Sequence, residues 1–196
     1  AYKMLKSGMY EKALVIGFEM FNRLTFEHFQ AMNLLSQEAQ YSPLTNPTGI
    51  VLGEGIGCVA LSTQPNPQLP CEIVGVTTLT DNDNLTNSSE SALRNLINAC
   101  LNNANFTPAD IDGVKVHGVG GNSDEMELRV LQEIFPHAQW LSIKTQTGHT
   151  LGASGALESA ILFNQLKSEP QKCGRFLNYF LGFGGSNIAW VLEVNK

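Results

Sequence analysis

The chain has 196 residues, of which 43% are hydrophobic and 15% charged, and its formal net charge is -6 at pH 7. This composition suits one compact globular domain with a substantial core and excludes a disordered chain. The acidic balance, without any lysine or arginine cluster, argues against nucleic acid binding, which needs a basic face. No apolar run approaches the roughly 20 residues of a membrane span, and the first residues lack the apolar region of a signal peptide. We therefore expect a cytoplasmic protein without a membrane span.

The N-terminal third predicts a short helix, two strands and a second helix. The first residues favour a helix that stops at Ser7-Gly8, followed by a buried strand over 13–17. A chain that opens inside a helix suggests that an upstream part is missing. A helix over 25–36, a loop over 42–49 and a strand over 50–61 come next. The polar, proline-punctuated segment 64–70 predicts a linker between one unit, residues 1–63, and another, residues 71–196.

Strand and helix patterns alternate through the rest of the chain. A strand over 73–79 precedes a helix capped by Ser88 or Ser89, whose apolar stripe consists of Leu93, Leu96, Ile97, Cys100 and Leu101. Strands over 114–116, 140–143, 176–179 and 188–194 then alternate with helices over 124–135 and 151–166. This order predicts an α/β layered fold whose mixed sheet is covered by helices. The helix over 151–166 is rich in glycine and alanine, so we expect it to be central and buried.

Two histidines follow predicted strands and are candidate catalytic residues. His117 comes after the strand over 114–116 and His149 after the strand over 140–143. Parallel strands deliver such side chains to one crevice, where two ring N–H groups can stabilise an enolate on a thioester oxygen. A following helix N-terminus should keep His149 neutral. His28 and His137 are interpreted as residues without a catalytic role.

The cysteines provide no evident nucleophile. Cys58 lies within a predicted strand and is expected to be buried, Cys71 starts a strand, Cys100 belongs to an apolar helix stripe, and Cys173 lies in a polar loop. None stands on a turn into a helix N-terminus, the setting that lowers a thiol pKa. Their spacing also fits neither a zinc site nor a disulfide framework. Serines near glycine are outside the GxSxG pattern of a serine hydrolase.

Five segments in order resemble a known family. They are 13–19 (ALVIGFE), 49–57 (GIVLGEGIG), 116–121 (VHGVGG), 144–155 (KTQTGHTLGASG) and 182–187 (GFGGSN). Together they resemble the C-terminal half of β-ketoacyl synthases, the condensing enzymes of fatty-acid and polyketide synthesis. The resemblance implies a thiolase-like layered fold, comprising the C-terminal half in residues 71–196 and the end of the N-terminal half in residues 1–63.

The resemblance also implies roles for individual residues. His117 and His149 match the active-site histidines of the family, and Lys144 matches the lysine that organises the charges of the site. Substrate-binding positions implied in the same way are Val119, Gly121, Leu181, Phe183, Gly184 and Gly185. Three of them depart from the family pattern: Val119 and Gly121 replace threonines that hydrogen-bond pantetheine, and Leu181 replaces a gating aromatic.

These departures, with the missing cysteine, lead us to expect a non-catalytic partner subunit. It would resemble a short chain-length factor of a type II polyketide system, such as the half-length partners of aryl-polyene pathways. It would form a heterodimer or higher assembly with a ketosynthase through a large apolar interface. The substrate implied is a phosphopantetheine-linked acyl chain on an acyl carrier protein, with neither cofactor nor metal.

Two alternatives remain, and whether the chain is itself an enzyme stays open. In the first, the chain is the C-terminal part of an active β-ketoacyl synthase whose cysteine lies outside it. In the second, the glycines of segment 53–57 bind a nucleotide in an α/β domain. The GxGxG spacing of that segment departs from the GxGxxG of dinucleotide-binding folds, so it is a weak signal.

Overall fold

The structure, a computed structural model, describes residues 1–66, 71–82, 88–168 and 173–195. Its helices are α1 (Tyr2–Lys6), α2 (Arg23–Ala31), α3 (Glu90–Ala104), α4 (Asp124–Ile134), α5 (Lys144–Thr147) and α6 (Ser154–Ser168). Its strands are β1 (Lys12–Glu19), β2 (Gly55–Ser62), β3 (Cys71–Thr80), β4 (Gly113–Lys115), β5 (Gln139–Leu141), β6 (Gly174–Leu181) and β7 (Ser186–Val194). Short 3-10 helices lie at Pro108–Asp110, Leu151–Ala153 and Phe183–Gly185.

Five strands form one mixed sheet in the order β3-β7-β6-β4-β5. Strand β4 is parallel to both β5 and β6, while β6 and β3 are each antiparallel to β7. Strands β1 and β2 form a separate antiparallel pair, here called the ribbon, with Lys12 opposite Ser62 and Glu19 opposite Gly55. The predicted α/β fold with a mixed sheet is therefore confirmed.

Helices cover both faces of the five-stranded sheet. The main core lies between the sheet and helices α3 and α4, and contains Leu96, Leu131, Leu177 and Val191. Cys100 also belongs to this core, as its helical stripe predicts. A smaller core on the opposite face contains Leu162 of α6 among its members. This second core places α6 directly against the sheet.

Helix α6 also packs on the ribbon, which makes it the central layer that its small residues predict. A Cβ added at Gly57 of β2 would lie 2.1 Å from the backbone nitrogen of Leu157 in α6, so only glycine allows this approach. The other face of the ribbon is apolar but open to solvent. Its side chains Leu14, Ile16, Phe18 and Ile56 are 63%, 59%, 67% and 68% exposed.

Cys58 lies on the open face of the ribbon. It is exposed, so the expectation that it would be buried was wrong. The reason is physical: an apolar strand is buried on both faces only when a further layer covers it.

The ribbon and the centre of the sheet have the same order of elements, a helix followed by an antiparallel pair of strands. Helix α1 is joined by five residues, 7–11, to β1, which pairs antiparallel with β2. Helix α6 is likewise joined by five residues, 169–173, to β6, which pairs antiparallel with β7. In the sheet, the β6–β7 pair is flanked by β4 and β3, whereas no flanking strand is paired to the ribbon in the described part of the chain.

Some predicted boundaries were wrong. Helix α2 begins at Arg23, capped by the side chain of Asn22, and ends at Ala31 rather than residue 36, because Asn33 adopts a left-handed conformation with φ of 54°. The predicted strand over 50–61 is divided, since only Gly55–Ser62 forms a strand and residues 50 and 52 make isolated bridges. The last predicted helix begins with the 3-10 turn Leu151–Ala153. Part of the predicted linker, residues 67–70, lies outside the described residues.

Candidate active site

The two candidate histidines lie side by side. His117 follows β4, and His149 follows α5, which comes after the neighbouring parallel strand β5. Their ring centroids are 5.9 Å apart with the ring planes at 85°, and each residue is 8% exposed. The two rings therefore meet as the sequence predicted, although helix α5, which the sequence analysis did not predict, separates β5 from His149.

Two carboxylates at the start of α4 fix the backbone of the loop that begins at His117. The carboxylate of Glu127 accepts hydrogen bonds from the amides of His117 and Gly118, at 2.7 and 2.9 Å, and from the hydroxyl of Tyr179. Asp124 accepts from the amides of Val119, Gly120 and Leu44, at 3.1, 2.9 and 2.7 Å. The backbone at His117 is thus held in place by buried, hydrogen-bonded carboxylates.

The backbone of His149 is held by the segment that precedes β2. Its amide donates to the carbonyl of Val51 at 2.7 Å, and its carbonyl accepts from the amide of Gly53 at 3.1 Å. A Cβ at Gly53 would lie 2.0 Å from the carbonyl oxygen of Thr147, so glycine is required for this pairing. The glycine-rich segment that suggested nucleotide binding therefore supports His149 instead.

A buried ionic cluster, defined here as Lys115, Lys144 and Glu158, lies behind the histidines. Each lysine nitrogen is 2.7 Å from a different oxygen of Glu158, and the three side chains are at most 1% exposed. Lys144 also donates to the carbonyl of His117 at 2.8 Å. Lys144, whose predicted role is to organise the charges of the site, therefore belongs to this cluster.

Both histidines are held in the neutral form. Burial, followed by the positive charge of Lys144, lowers the pKa of His149 to about 3 and that of His117 well below its usual value. The expected helix N-terminus is not the first cause, since a 3-10 turn intervenes and burial dominates. A neutral imidazole donates one N–H, which suits the binding of an oxyanion.

One buried ring nitrogen has no hydrogen-bond partner among the described residues. Nδ1 of His117 is buried and makes no hydrogen bond with the described residues, whereas Nδ1 of His149 lies 3.5 Å from the hydroxyl of Ser154. Buried polar atoms are nearly always paired in folded proteins. This nitrogen is one of the exceptions to that rule, and solvent does not reach it.

Both histidines line a cavity of about 990 Å³. Four predicted substrate-binding residues also line it, namely Val119, Gly121, Leu181 and Phe183. Gly184 and Gly185 lie outside its lining, and the amide of Asp81 donates to the carbonyl of Gly185 at 2.8 Å. The lining of the cavity is mostly apolar with a few polar residues, among them His117, His149 and Ser154, which is typical of a small-molecule site.

The cysteines are not part of this site. None of the four lines the cavity, and burial raises the pKa of Cys100 to about 12. In the described ranges, no group of three or more histidine, cysteine, aspartate or glutamate side chains is arranged to hold a metal ion. Within the same residues, no helix is long and apolar enough to cross a membrane.

Sequence reasoning missed Lys115 and Glu158. Lys115 is a charged residue between Val114 and Val116, and Glu158 is a charged residue in the stretch of small and apolar residues that begins α6. A charge in such a place is the available signal, because buried charges require a partner. Their pairing across 43 positions of sequence could not be read from local pattern.

Comparison with known proteins identifies the family. A family model of the β-ketoacyl synthase C-terminal domain matches residues 70–170, and a model of the N-terminal domain matches residues 1–66. The chain belongs to the β-ketoacyl synthase family. The chain is 30% identical over 140 residues to nodulation protein E of Rhizobium sp. (strain N33), covering 66% of this chain and 35% of that protein. It is 32% identical over 125 residues to 3-oxoacyl-[acyl-carrier-protein] synthase 2 of Coxiella burnetii, covering 58% and 30% respectively.

Solved structures of the family share the fold. A ketosynthase in complex with its chain length factor from Xenorhabdus doucetiae is similar with a TM-score of 0.85 and 24% identity, over 98% of this chain and 55% of that one. The architecture is that of the thiolase fold, as predicted. The chain spans about a third of the length of these two curated relatives and about half of the similar structure.

Proposed function

We propose that this β-ketoacyl synthase chain supplies the two-histidine half of a decarboxylative condensing site, and that another polypeptide segment supplies the nucleophilic cysteine. The observation that carries this proposal is the pair His117 and His149. The two buried, neutral rings lie 5.9 Å apart in the wall of one cavity. Such a pair has the donors that an enolate oxygen requires.

The chemistry follows from this arrangement. In a malonyl thioester bound in the cavity, the bond between the α-carbon and the carboxylate carbon breaks, carbon dioxide leaves, and the electron pair enters the thioester carbonyl as an enolate. The ring N–H groups of His117 and His149 donate to the enolate oxygen. The enolate carbon attacks an acyl thioester on the cysteine, and the thiolate leaves. Electrons balance within the two thioesters, so the step needs no redox cofactor. The growing chain would be carried on phosphopantetheine of an acyl carrier protein.

The apolar open face of the ribbon supports an assembly. Leu14, Ile16, Phe18 and Ile56 form a contiguous exposed apolar surface, which is characteristic of an interface. The Xenorhabdus structure is itself a complex of two subunits. We infer that a ketosynthase polypeptide covers this face, either as a partner subunit or as part of a longer chain.

A second candidate function is the non-catalytic, chain-length-factor-like subunit. Val119 and Gly121 favour it, because they line the cavity without hydroxyl groups for a pantetheine arm. In this case Leu181, also in the lining, would shape the space for a growing chain. The histidine pair would then be structural, and catalysis would take place in the partner.

Co-purification with a candidate ketosynthase, followed by a condensation assay on the assembly, separates the two functions. If the chain supplies the condensing site, His117→Ala and His149→Ala should each reduce condensation about 100-fold or more while the assembly stays intact. If it is a chain-length factor, both variants retain condensation, and substitutions such as Leu181→Trp change product length. His137→Ala, at an exposed position, is the matched control.

Intact-mass analysis of the natively expressed protein shows whether the cysteine is on the same chain. A chain that stays monomeric, binds no ketosynthase polypeptide and condenses nothing would refute both functions.

A further inference from the structure

Lys115 is a buried cation that the chemistry above leaves unused. It lies at the end of β4, two residues before His117, and is 1% exposed. Its nitrogen is 2.7 Å from Oε2 of Glu158 and 3.4 Å from the centroid of the Phe180 ring. A carboxylate on one side and an aromatic face on another fix the ammonium group by an ion pair and a cation–π contact.

The cluster that contains Lys115 connects the elements that carry both histidines. Glu158, on α6, pairs with Lys115 of β4 and with Lys144 of α5. Lys144 is five residues before His149 and donates to the carbonyl of His117. The Glu158 carboxylate therefore fixes β4, which precedes His117, relative to α5, which precedes His149.

Phe180 connects Lys115 to the cavity. Its ring forms part of the cavity wall, lies over the Lys115 nitrogen and stacks on Trp190 with centroids 5.4 Å apart. Lys115 itself does not reach the lining, so its influence on the site is exerted through Glu158, Phe180 and its electric field.

We propose that Lys115 is a positioning residue of the histidine pair, which fixes Glu158 and Phe180 behind the rings and supplies a positive charge that stabilises the enolate. This inference rests on the proposed condensing function. The attraction between a developing anion and a fixed buried cation is much stronger in such a site than in water, because the surroundings are poorly polarisable.

The charge of Lys115 depends on pH within an accessible range. Burial lowers its pKa to about 8, against the raising effect of Glu158, and the other charged groups acting on it are Lys144 and Glu127. As pH rises through 8, Lys115 loses its proton and the site loses one positive charge. Condensation should therefore weaken on the alkaline side.

The pH dependence of condensation by the assembly tests the proposal. For the unmodified chain, kcat should fall above pH 8 with little change in KM. Lys115→Met should be about tenfold slower at pH 7, which is the rate effect of losing electrostatic stabilisation equal to about one pKa unit. Its kcat should show no fall at pH 8. Lys167→Met, an exposed lysine of α6, should match the unmodified chain. A Lys115→Met profile that superimposes on the unmodified one overturns the proposal.

A second measurement separates this inference from the proposed function, because it does not need activity. Carbon-13 NMR of ε-labelled lysines should show one resonance that titrates near pH 8 and is missing in Lys115→Met. Nitrogen-15 spectra of the histidine rings should change for His117 and His149 in that variant, and not for His28. If these NMR results were obtained but neither the unmodified chain nor any variant supported condensation, the positioning role of Lys115 would stand and the condensing function would be rejected. Unchanged ring signals, or a Lys115 that titrates near 10, would reject the role of Lys115.

Discussion

Replacing Glu158 by glutamine tests whether the ionic cluster stabilises the region behind the histidines. Glu158→Gln keeps the size of the side chain and removes its charge. Both carboxylate oxygens contact lysine nitrogens at 2.7 Å, and Glu158 has no solvent exposure. Neither Lys115 nor Lys144 can reach water without moving the surrounding elements, so the substitution leaves two buried cations unbalanced.

The expected loss in the free energy of unfolding is about 3–5 kcal/mol at pH 7, the usual cost of removing one partner from a buried ion pair. Lys115 contributes only part of this loss in the free energy of unfolding. Because its pKa is about 8 in the unmodified chain, giving up its proton at pH 7 costs about 1.4 kcal/mol, which is one pKa unit. The remainder comes from the ion pair with Lys144 and from the lost charge-assisted hydrogen bond between Lys115 and Glu158.

The same argument fixes the sign of the pH dependence. At pH 9 Lys115 is already neutral in the unmodified chain, so its share of the loss disappears. The difference between the two proteins should therefore be smaller at pH 9 than at pH 7 by about 1.4 kcal/mol.

Equilibrium urea unfolding followed by the fluorescence of Trp140 and Trp190 measures this difference at both pH values. The matched control is Glu27→Gln, which removes an ion pair with Arg23 of the same length, 2.7 Å, at an exposed site. That control should lose about 0.5 kcal/mol or less. A Glu158→Gln protein as stable as the control would refute the reasoning.

Other predictions concern packing and acid stability. Gly57→Ala should lower the melting temperature markedly, because its Cβ would lie 2.1 Å from the backbone of Leu157; Gly155→Ala, where nothing lies within 4 Å of the added Cβ, should not lower it. His149 has a lowered pKa of about 3, so between pH 6.5 and 3 the unfolded chain binds a proton that the folded chain does not, and stability should fall as pH falls. His149→Asn should reduce that slope in acid-unfolding curves, whereas the exposed His28→Asn should retain it. An unchanged slope in His149→Asn would contradict the neutral, buried ring.

Local pattern and one rule of topology were enough to predict much of this fold and the histidine pair. Apolar periodicity located the strands and the long helices, and the parallel arrangement of β4 and β5 brought His117 and His149 together. Both strands end at the same edge of the sheet, so two distant residues could be predicted to meet.

What could not be predicted depends on tertiary partners. Lys115 and Glu158 have meaning only as a pair, and they are far apart in sequence. Cys58 was placed in a core because its strand is apolar on both faces, but burial depends on a layer that local sequence does not show. The end of α2 was missed because Asn33 adopts a left-handed conformation within an apparently helical pattern.

The ribbon has a consequence for local stability. Its two strands make eight paired positions, but they are flanked by no other strand in the described residues and contact a helix on one face only. A two-stranded pair is marginal by itself, so the ribbon depends on the close contact of Gly57 with α6. Its amides should exchange hydrogen with solvent faster than those of β6 and β7, which lie between other strands. If adding a ketosynthase polypeptide slows this exchange, the change in rate measures how much the covering polypeptide stabilises the ribbon against local opening.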